Sequence, residues 1–179
     1  LWTAQGRAFA PIAVNLSAVQ FEHKQLIDTL ANLIKKYNVD PNHLIIEITE
    51  STAMHHIEGS IRTLQRLREM GIRLAIDDFG TGHSSFLYLK NLPVDELKID
   101  RGFIHELTVG SKDEMILESI VHLAIRLGLV VTAEGVESPL QMEILSRLGC
   151  QQLQGYLLGM PMDVKRLEEF EYTSSTYFN

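Results

Sequence analysis

Six apolar segments of this chain each carry, toward one end, a polar side chain able to hold a cation or to face a phosphate. They read PIAVNLS (11–17), HLIIEIT (43–49), IRLAIDD (72–78), DELKID (95–100), LVVTAEG (129–135) and QQLQGY (151–156). The candidates are Asn15, Glu47, Asp77 with Asp78, Lys98 with Asp100, Glu134 and Gln154. A charge in an apolar segment is costly unless it is paired or binds a cation. One such acid is an accident of sequence; a set of them implies a shared site. The donors are amide and carboxylate oxygens, which suit Mg2+ or Mn2+ far better than zinc or copper. The carboxylates outnumber what one Mg2+ takes, so the set points to two ions. Two ions roughly 3.5–4 Å apart stabilise the attacking and leaving oxygens of a phosphoryl displacement.

Each candidate also has a plainer alternative. Adjacent acids such as Asp77 and Asp78 cap turns. The residues that follow, Phe79-Gly80-Thr81-Gly82-His83-Ser84-Ser85, resemble a glycine-hinged loop at a site's mouth, and together with the acids they favour function. Glu47 is either a ligand or half of a buried ion pair, for instance with Lys98. Lys98 is either a structural partner of Asp100 or Glu47, or a cation that positions and activates a water before an anionic substrate. An asparagine such as Asn15 is more often a turn former. Glu134 and Gln154 gain weight only from the group. The histidines offer no rival site. His55 and His56 are adjacent, do not share a helix face, and read as exposed or capping; His122 reads as structural; His83 is a contact candidate within the glycine loop.

The segments that must position these residues alternate with helical patterns. Leu26, Leu30, Leu33 and Tyr37 recur at helical spacing, with Ile27 and Ile34 beside them. So do Ile57, Ile61, Leu64 and Leu67, then Ile116, Ile120, Leu123 and Leu127, then Leu140, Ile144, Leu145 and Leu148. Shorter helices are expected over 84–91 and 164–170. Gly71, Gly128 and Gly149 mark helix ends, and Ser138-Pro139 reads as an N-cap with proline at the first helical position. Strand–helix units in series imply a parallel sheet. An open doubly wound sheet usually shows a glycine-rich first turn, which is missing; a barrel gathers all C-terminal strand ends in one mouth. The expected fold class is therefore α/β, a TIM-like (β/α) barrel with about six of eight strand–helix units. The remaining units are expected before Leu1, where the chain starts in polar, helix-like text without an initiator Met.

The chain has 179 residues, enough for one domain with a core. A net charge of −7 argues against DNA or RNA held by bulk positive potential. An anionic ligand can still bind where metal ions supply the positive charge. A single cysteine, Cys150, excludes an internal disulfide and a multi-cysteine zinc site, and a cytoplasmic setting is the simplest expectation. No apolar run reaches the ~18 residues that span a bilayer, so no membrane contact is expected from this segment.

The chain resembles the EAL-domain phosphodiesterases that hydrolyse cyclic di-GMP. The resemblance is carried by Asn15-Leu16-Ser17, Glu47-Ile48-Thr49-Glu50-Ser51, Asp77-Asp78-Phe79-Gly80-Thr81-Gly82, Leu97-Lys98-Ile99-Asp100, Glu134-Gly135-Val136-Glu137 and Gln154-Gly155-Tyr156, in order over nearly the whole length. It implies metal ligands at Asn15, Glu47, Asp77, Asp78 and Glu134, and catalytic roles for Lys98 and Glu134. It implies that Glu50 anchors the loop after Asp78, that Asp100, Glu137 and Gln154 lie near the site, and that Phe79, Gly80, Thr81 and Gly82 form a substrate loop. It further implies opening of cyclic di-GMP to linear pGpG with two Mg2+ or Mn2+ ions, homodimers, and GGDEF or sensory domains in a parent chain that other domains could anchor to a membrane. The whole segment 1–179 is expected to be the C-terminal three-quarters of such a domain. The Glu-Ala-Leu motif that names the family lies ahead of the asparagine motif, so this piece alone is expected to be inactive. The alternative is a catalytically silent receptor for cyclic di-GMP or a protein-interaction module. His83 and Phe86 depart from the aromatic and the leucine usual there.

Overall fold

The computed structural model describes residues 11–81 and 86–169. Gly82, His83 and the polar text at Leu1 lie outside the described residues. Six parallel strands form one sheet: β1 (Ile12–Asn15), β2 (Leu44–Thr49), β3 (Arg73–Phe79), β4 (Glu96–Ile99), β5 (Val130–Glu134) and β6 (Gln152–Gln154). Their order in the sheet is their order in the chain. A doubly wound sheet would break that order at a switch point; an unbroken series is the wall of a barrel. At its two sides, Ile12 and Val14 of β1 and Gln152 and Gln154 of β6 are exposed.

The helices are α1 (Ala18–Phe21), α2 (Leu26–Tyr37), α3 (Glu50–His55), α4 (Ile57–Glu69), α5 (Phe86–Leu89), α6 (Lys112–Arg126), α7 (Pro139–Leu148) and α8 (Val164–Glu169). Local chemistry sets their ends. Ser138 caps α7 with a capping box and Pro139 opens it, while Gly149 closes it in the left-handed conformation at φ +96°. Gly71 and Gly128 follow the caps of α4 and α6, also at positive φ. His56 caps α4, its Nδ1 accepting from the Gly59 N–H at 3.0 Å.

The covering faces differ from the simplest periodic count. On α6 the buried stripe is Leu117, Ile120, Val121 and Ala124, while Ile116 and Leu127 are exposed. Leu33 and Tyr37 of α2 and Leu140 of α7 likewise face outward. On α6 apolar residues lie on more than one side, so periodicity alone leaves the inward direction free and packing on the strands chooses it; α2 is sharply two-sided, and Leu33 and Tyr37 lie at the border of its Leu26, Ile27, Leu30 and Ile34 face. The core lies between helices and strands, where Leu64, Leu67, Leu74, Ile76, Leu97, Ile99, Leu117 and Val131 are all buried.

Candidate functional site

The C-terminal ends of β2, β3, β4 and β5 converge on one ammonium group. Lys98 Nζ lies 2.8 Å from Glu47 Oε1, 2.7 Å from Glu134 Oε1 and 3.4 Å from Asp77 Oδ1. Alternation explains the convergence. Leu97 and Ile99 face the helices and are fully buried there, so Lys98 must point to the other side, the barrel interior. Lys98 is itself only 5% exposed. Burial works against its charge, but the hydrogen bonds to Glu134 and Glu47 outweigh that and hold the ammonium above the ordinary lysine range.

Asp77 and Asp78 are adjacent, so a regular strand would turn them to opposite faces. The chain avoids this with an irregularity. Ile76 pairs with Leu97 and Phe79 with Ile99, so three steps on β3 match two on β4. The extra residue is a bulge of the kind that re-aims side chains. Asp78 also sits at φ +54°, uncommon for a residue with a side chain. Its N–H donates to Asp77 Oδ1 at 3.1 Å. As a result Asp77, Asp78 and Glu134 each offer an oxygen within 4.8 Å of the others. Burial, then the neighbouring charges of Asp77 and Asp100, push the Asp78 carboxyl above its usual range. Burial also raises Glu134, although its hydrogen bond to Lys98 opposes the rise. When ionised, Glu47, Asp77 and Glu134 contact one ammonium and Asp78 lies beside two of them, so these four carboxylates and the lysine carry three net negative charges. An all-oxygen, half-buried and under-neutralised group of this kind fits hard divalent cations.

The loop that leaves β3 is tied down. Gly80 N–H donates to Glu50 Oε2 at 2.7 Å, and Glu50 is almost wholly buried at the start of α3. Thr81 Oγ1 donates to the Asp78 carbonyl at 2.9 Å. Asp100 follows β4 and caps the single helical turn Arg101–Phe103, accepting from Gly102 N–H at 2.8 Å. The described contacts of Lys98 are with Glu47, Asp77 and Glu134, so its ion pairs run to those acids and not to Asp100.

The other candidates are not among the ion pairs of Lys98. Asn15 pairs in register with Glu47 at the end of β1 and is exposed. Gln154 pairs in register with Glu134, and its carbonyl accepts from Val136 N–H at 3.0 Å. Glu137 lines a neighbouring cleft of about 550 Å3 with Arg101, His105 and Gly135. His122 is exposed on α6, and His55 contacts Glu22 at the surface. Three residues escaped sequence reasoning. Glu96 is 5% exposed and accepts from the Thr132 hydroxyl; its parity with Lys98 on one strand was the available signal. Gln141 is buried, with Nε2 donating to the Ile104 carbonyl at 2.8 Å, and its place in the S-x-x-Q capping box was visible. Phe103 lies over Gly80, for which no sequence signal existed.

A family model described as EAL domain matches residues 1–161. The chain belongs to the EAL domain family. The chain is 53% identical over 167 residues to the bifunctional diguanylate cyclase/cyclic di-GMP phosphodiesterase MucR of Pseudomonas aeruginosa, covering 93% of this chain and 24% of MucR. The chain thus spans about a quarter of that relative's length. A solved structure of the PaMucR phosphodiesterase in complex with c-di-GMP superposes with a TM-score of 0.85 at 54% identity, covering 88% of this chain and 70% of that one. A manganese/cy-diGMP complex of Klebsiella pneumoniae BlrP1 gives a TM-score of 0.78 at 29% identity, covering 84% and 39%. The EAL likeness bears out the expected α/β, TIM-like barrel wall and the resemblance read from the motifs. Among the described residues, no helix is long and apolar enough to cross a membrane.

Proposed function

We propose that this chain carries most of the catalytic face of a metal-dependent cyclic di-GMP phosphodiesterase. The observation that carries the proposal is the meeting of Glu47, Asp77 and Glu134 on Lys98 with Asp78 beside Asp77 and Glu134, in a chain similar to phosphodiesterases of that substrate. Asn15, Glu47, Asp77, Asp78 and Glu134 would hold two divalent ions, Mg2+ or Mn2+. Such ions supply a nucleophilic water at neutral pH and offset charge on the phosphate.

The chain's own residues do the rest. Glu47, Asp77, Asp78 and Glu134 fix the donor geometry, and the bulge at Asp77-Asp78 places two of them at once. Lys98 Nζ, kept protonated, donates toward the entering water and balances negative charge as the phosphate reacts. The water oxygen bonds to phosphorus and the P–O3′ bond breaks. A water proton ends on the 3′-oxygen, and the product is linear pGpG with a 5′-phosphate. Glu50, through Gly80, holds the Phe79–Thr81 loop beside the site. Gly82, the next residue of that loop, belongs to the proposal from the motif alone. Asp100, Glu137 and Gln154 line its surroundings.

The same reading places the protein in the cytoplasm, as a homodimer, with GGDEF or sensory domains in the parent chain. The test incubates the intact protein with cyclic di-GMP and Mg2+ or Mn2+ and measures pGpG by chromatography. Turnover that Asp77→Asn abolishes is the expected result. Tight binding of cyclic di-GMP with no pGpG at any protein concentration overturns the enzymatic reading in favour of a receptor.

A further inference from the structure

The helical turn Arg101–Phe103 is wedged between two glycines, each within two residues of an acid of the site. A Cβ on Gly80, two residues after Asp78, would lie 2.1 Å from Phe103 Cε2 and 2.6 Å from its Cζ. A Cβ on Gly135, directly after Glu134, would lie 2.5 Å from the Arg101 Cβ. Real Cβ atoms do not approach that closely, so the turn rests on bare backbone at both points. The turn is closed by its own hydrogen bonds. Asp100 caps it through Gly102 N–H at 2.8 Å, and Ile104 N–H closes it on the Arg101 carbonyl at 2.9 Å. It also follows Lys98 by only a few residues on the same strand end.

We propose that Phe103 is a positioning residue: its ring, pressed on Gly80, holds the bulged Asp78 where it can share a cation with Asp77 and Glu134. The physical need is clear. Asp78 and Gly80 both have left-handed φ, at +54° and +101°, and Asp78 carries the cost of a side chain there. Such a conformation persists only when its surroundings impose it. Glu50 Oε2 supplies a polar tether from one side of the loop. The Phe103 ring supplies an apolar stop from another. Without the stop, the ties that remain are Gly80 N–H on Glu50, Asp100 N–H on the Phe79 carbonyl at 3.4 Å and the Thr81 bonds to the Asp78 carbonyl, and none of them holds the Asp78 carboxylate itself. The bulge then relaxes and Asp78 leaves its partners. Because the same turn abuts Gly135, it also sets the distance between the Asp78 and Glu134 ends of the site.

This rests on the cation-binding reading of the carboxylate cluster. The test therefore measures Mn2+ affinity, by paramagnetic resonance or calorimetry, in the intact protein. Phe103→Ala is expected to weaken Mn2+ binding by about tenfold or more, the usual size for a residue that supports metal ligands from behind. Phe103→Leu, which refills most of the space, is expected to restore most of the affinity. Leu117→Ala, a core change on α6, is expected to lower thermal stability while Mn2+ affinity stays at the wild-type value. If Phe103→Ala does not fold, Gly80→Ala decides: it should lose Mn2+ affinity, and the Gly80→Ala/Phe103→Leu pair should regain part of it. Wild-type affinity in Phe103→Ala, or a double variant no better than Gly80→Ala, overturns the role of Phe103 alone. A wild-type protein that binds no Mn2+ removes the cation reading itself, and the proposal with it.

Discussion

Replacing Lys98 with methionine is the most telling perturbation of this site. The substitution keeps much of the side-chain length and removes the charge. Lys98 Nζ touches three carboxylates, and its side chain is 6% exposed against 8% for Glu47, 13% for Asp77 and 18% for Glu134. Removing one partner of a buried pair strands the other, at a cost of about 3–5 kcal/mol. For a domain of this size that is roughly 6–20 °C in Tm. The loss should depend on pH and on metal. Glu134 is already raised by burial, and its bond to Lys98 is what holds it down. Without Lys98 it rises further. An acid with a raised folded pKa is tolerated while protonated and destabilises once pH exceeds its unfolded value, so the deficit should grow from pH 5 to pH 8. The contribution of Lys98 itself is fully present below the ordinary lysine value of 10.5 and does not change over that range. Divalent cations should replace the missing charge. Thermal melts of wild type and Lys98→Met, at both pH values, in EDTA and in Mn2+, check all of this. Mn2+ should narrow the gap in stability without restoring pGpG formation. A loss in EDTA below about 1 kcal/mol, or a gap that Mn2+ leaves untouched, would show that the ammonium does not neutralise the cluster.

Other expected outcomes follow from the same structure. Burial raises Asp78 and Glu134, so protons compete with metal there; Mn2+ should raise the wild-type Tm more at pH 7.5 than at pH 5.5, and an equal rise at both values would count against those two carboxyls as ligands. A Cβ on Gly155 would lie 2.1 Å from the Val136 carbonyl oxygen, a backbone atom that cannot move aside alone. Gly155→Ala should therefore cost about 2–3 kcal/mol in a denaturant titration. Burial pushes the Cys150 thiol up to about 12. Iodoacetamide at pH 8 should alkylate the native protein more than about a hundredfold more slowly than the unfolded chain.

The sequence by itself determined the strands, because each is a short apolar run with polar ends, and the helix ends, because Ser138-Pro139 and Gly149 have one good local conformation each. It also determined the inward pointing of Lys98, since strand parity is fixed once Leu97 and Ile99 face the helices. The motif text from Asn15 to Gln154 was enough to expect an EAL domain. The buried face of α6 was not legible, because that helix carries apolar residues on more than one side and only packing selects one; on α2 the Leu26, Ile27, Leu30 and Ile34 face was legible, and only Leu33 and Tyr37 at its border turned out exposed. Nor could parity bring Asp77 and Asp78 together. Neighbours in a regular strand diverge, and their meeting required a bulge and a left-handed Asp78. The Phe103 ring over Gly80 was equally silent, since it joins residues on different strand ends. Local preferences act over a few residues and are written in order along the chain. The direction a helix faces, the place where a strand bulges, and the ring that holds a loop depend on surfaces that meet only after folding.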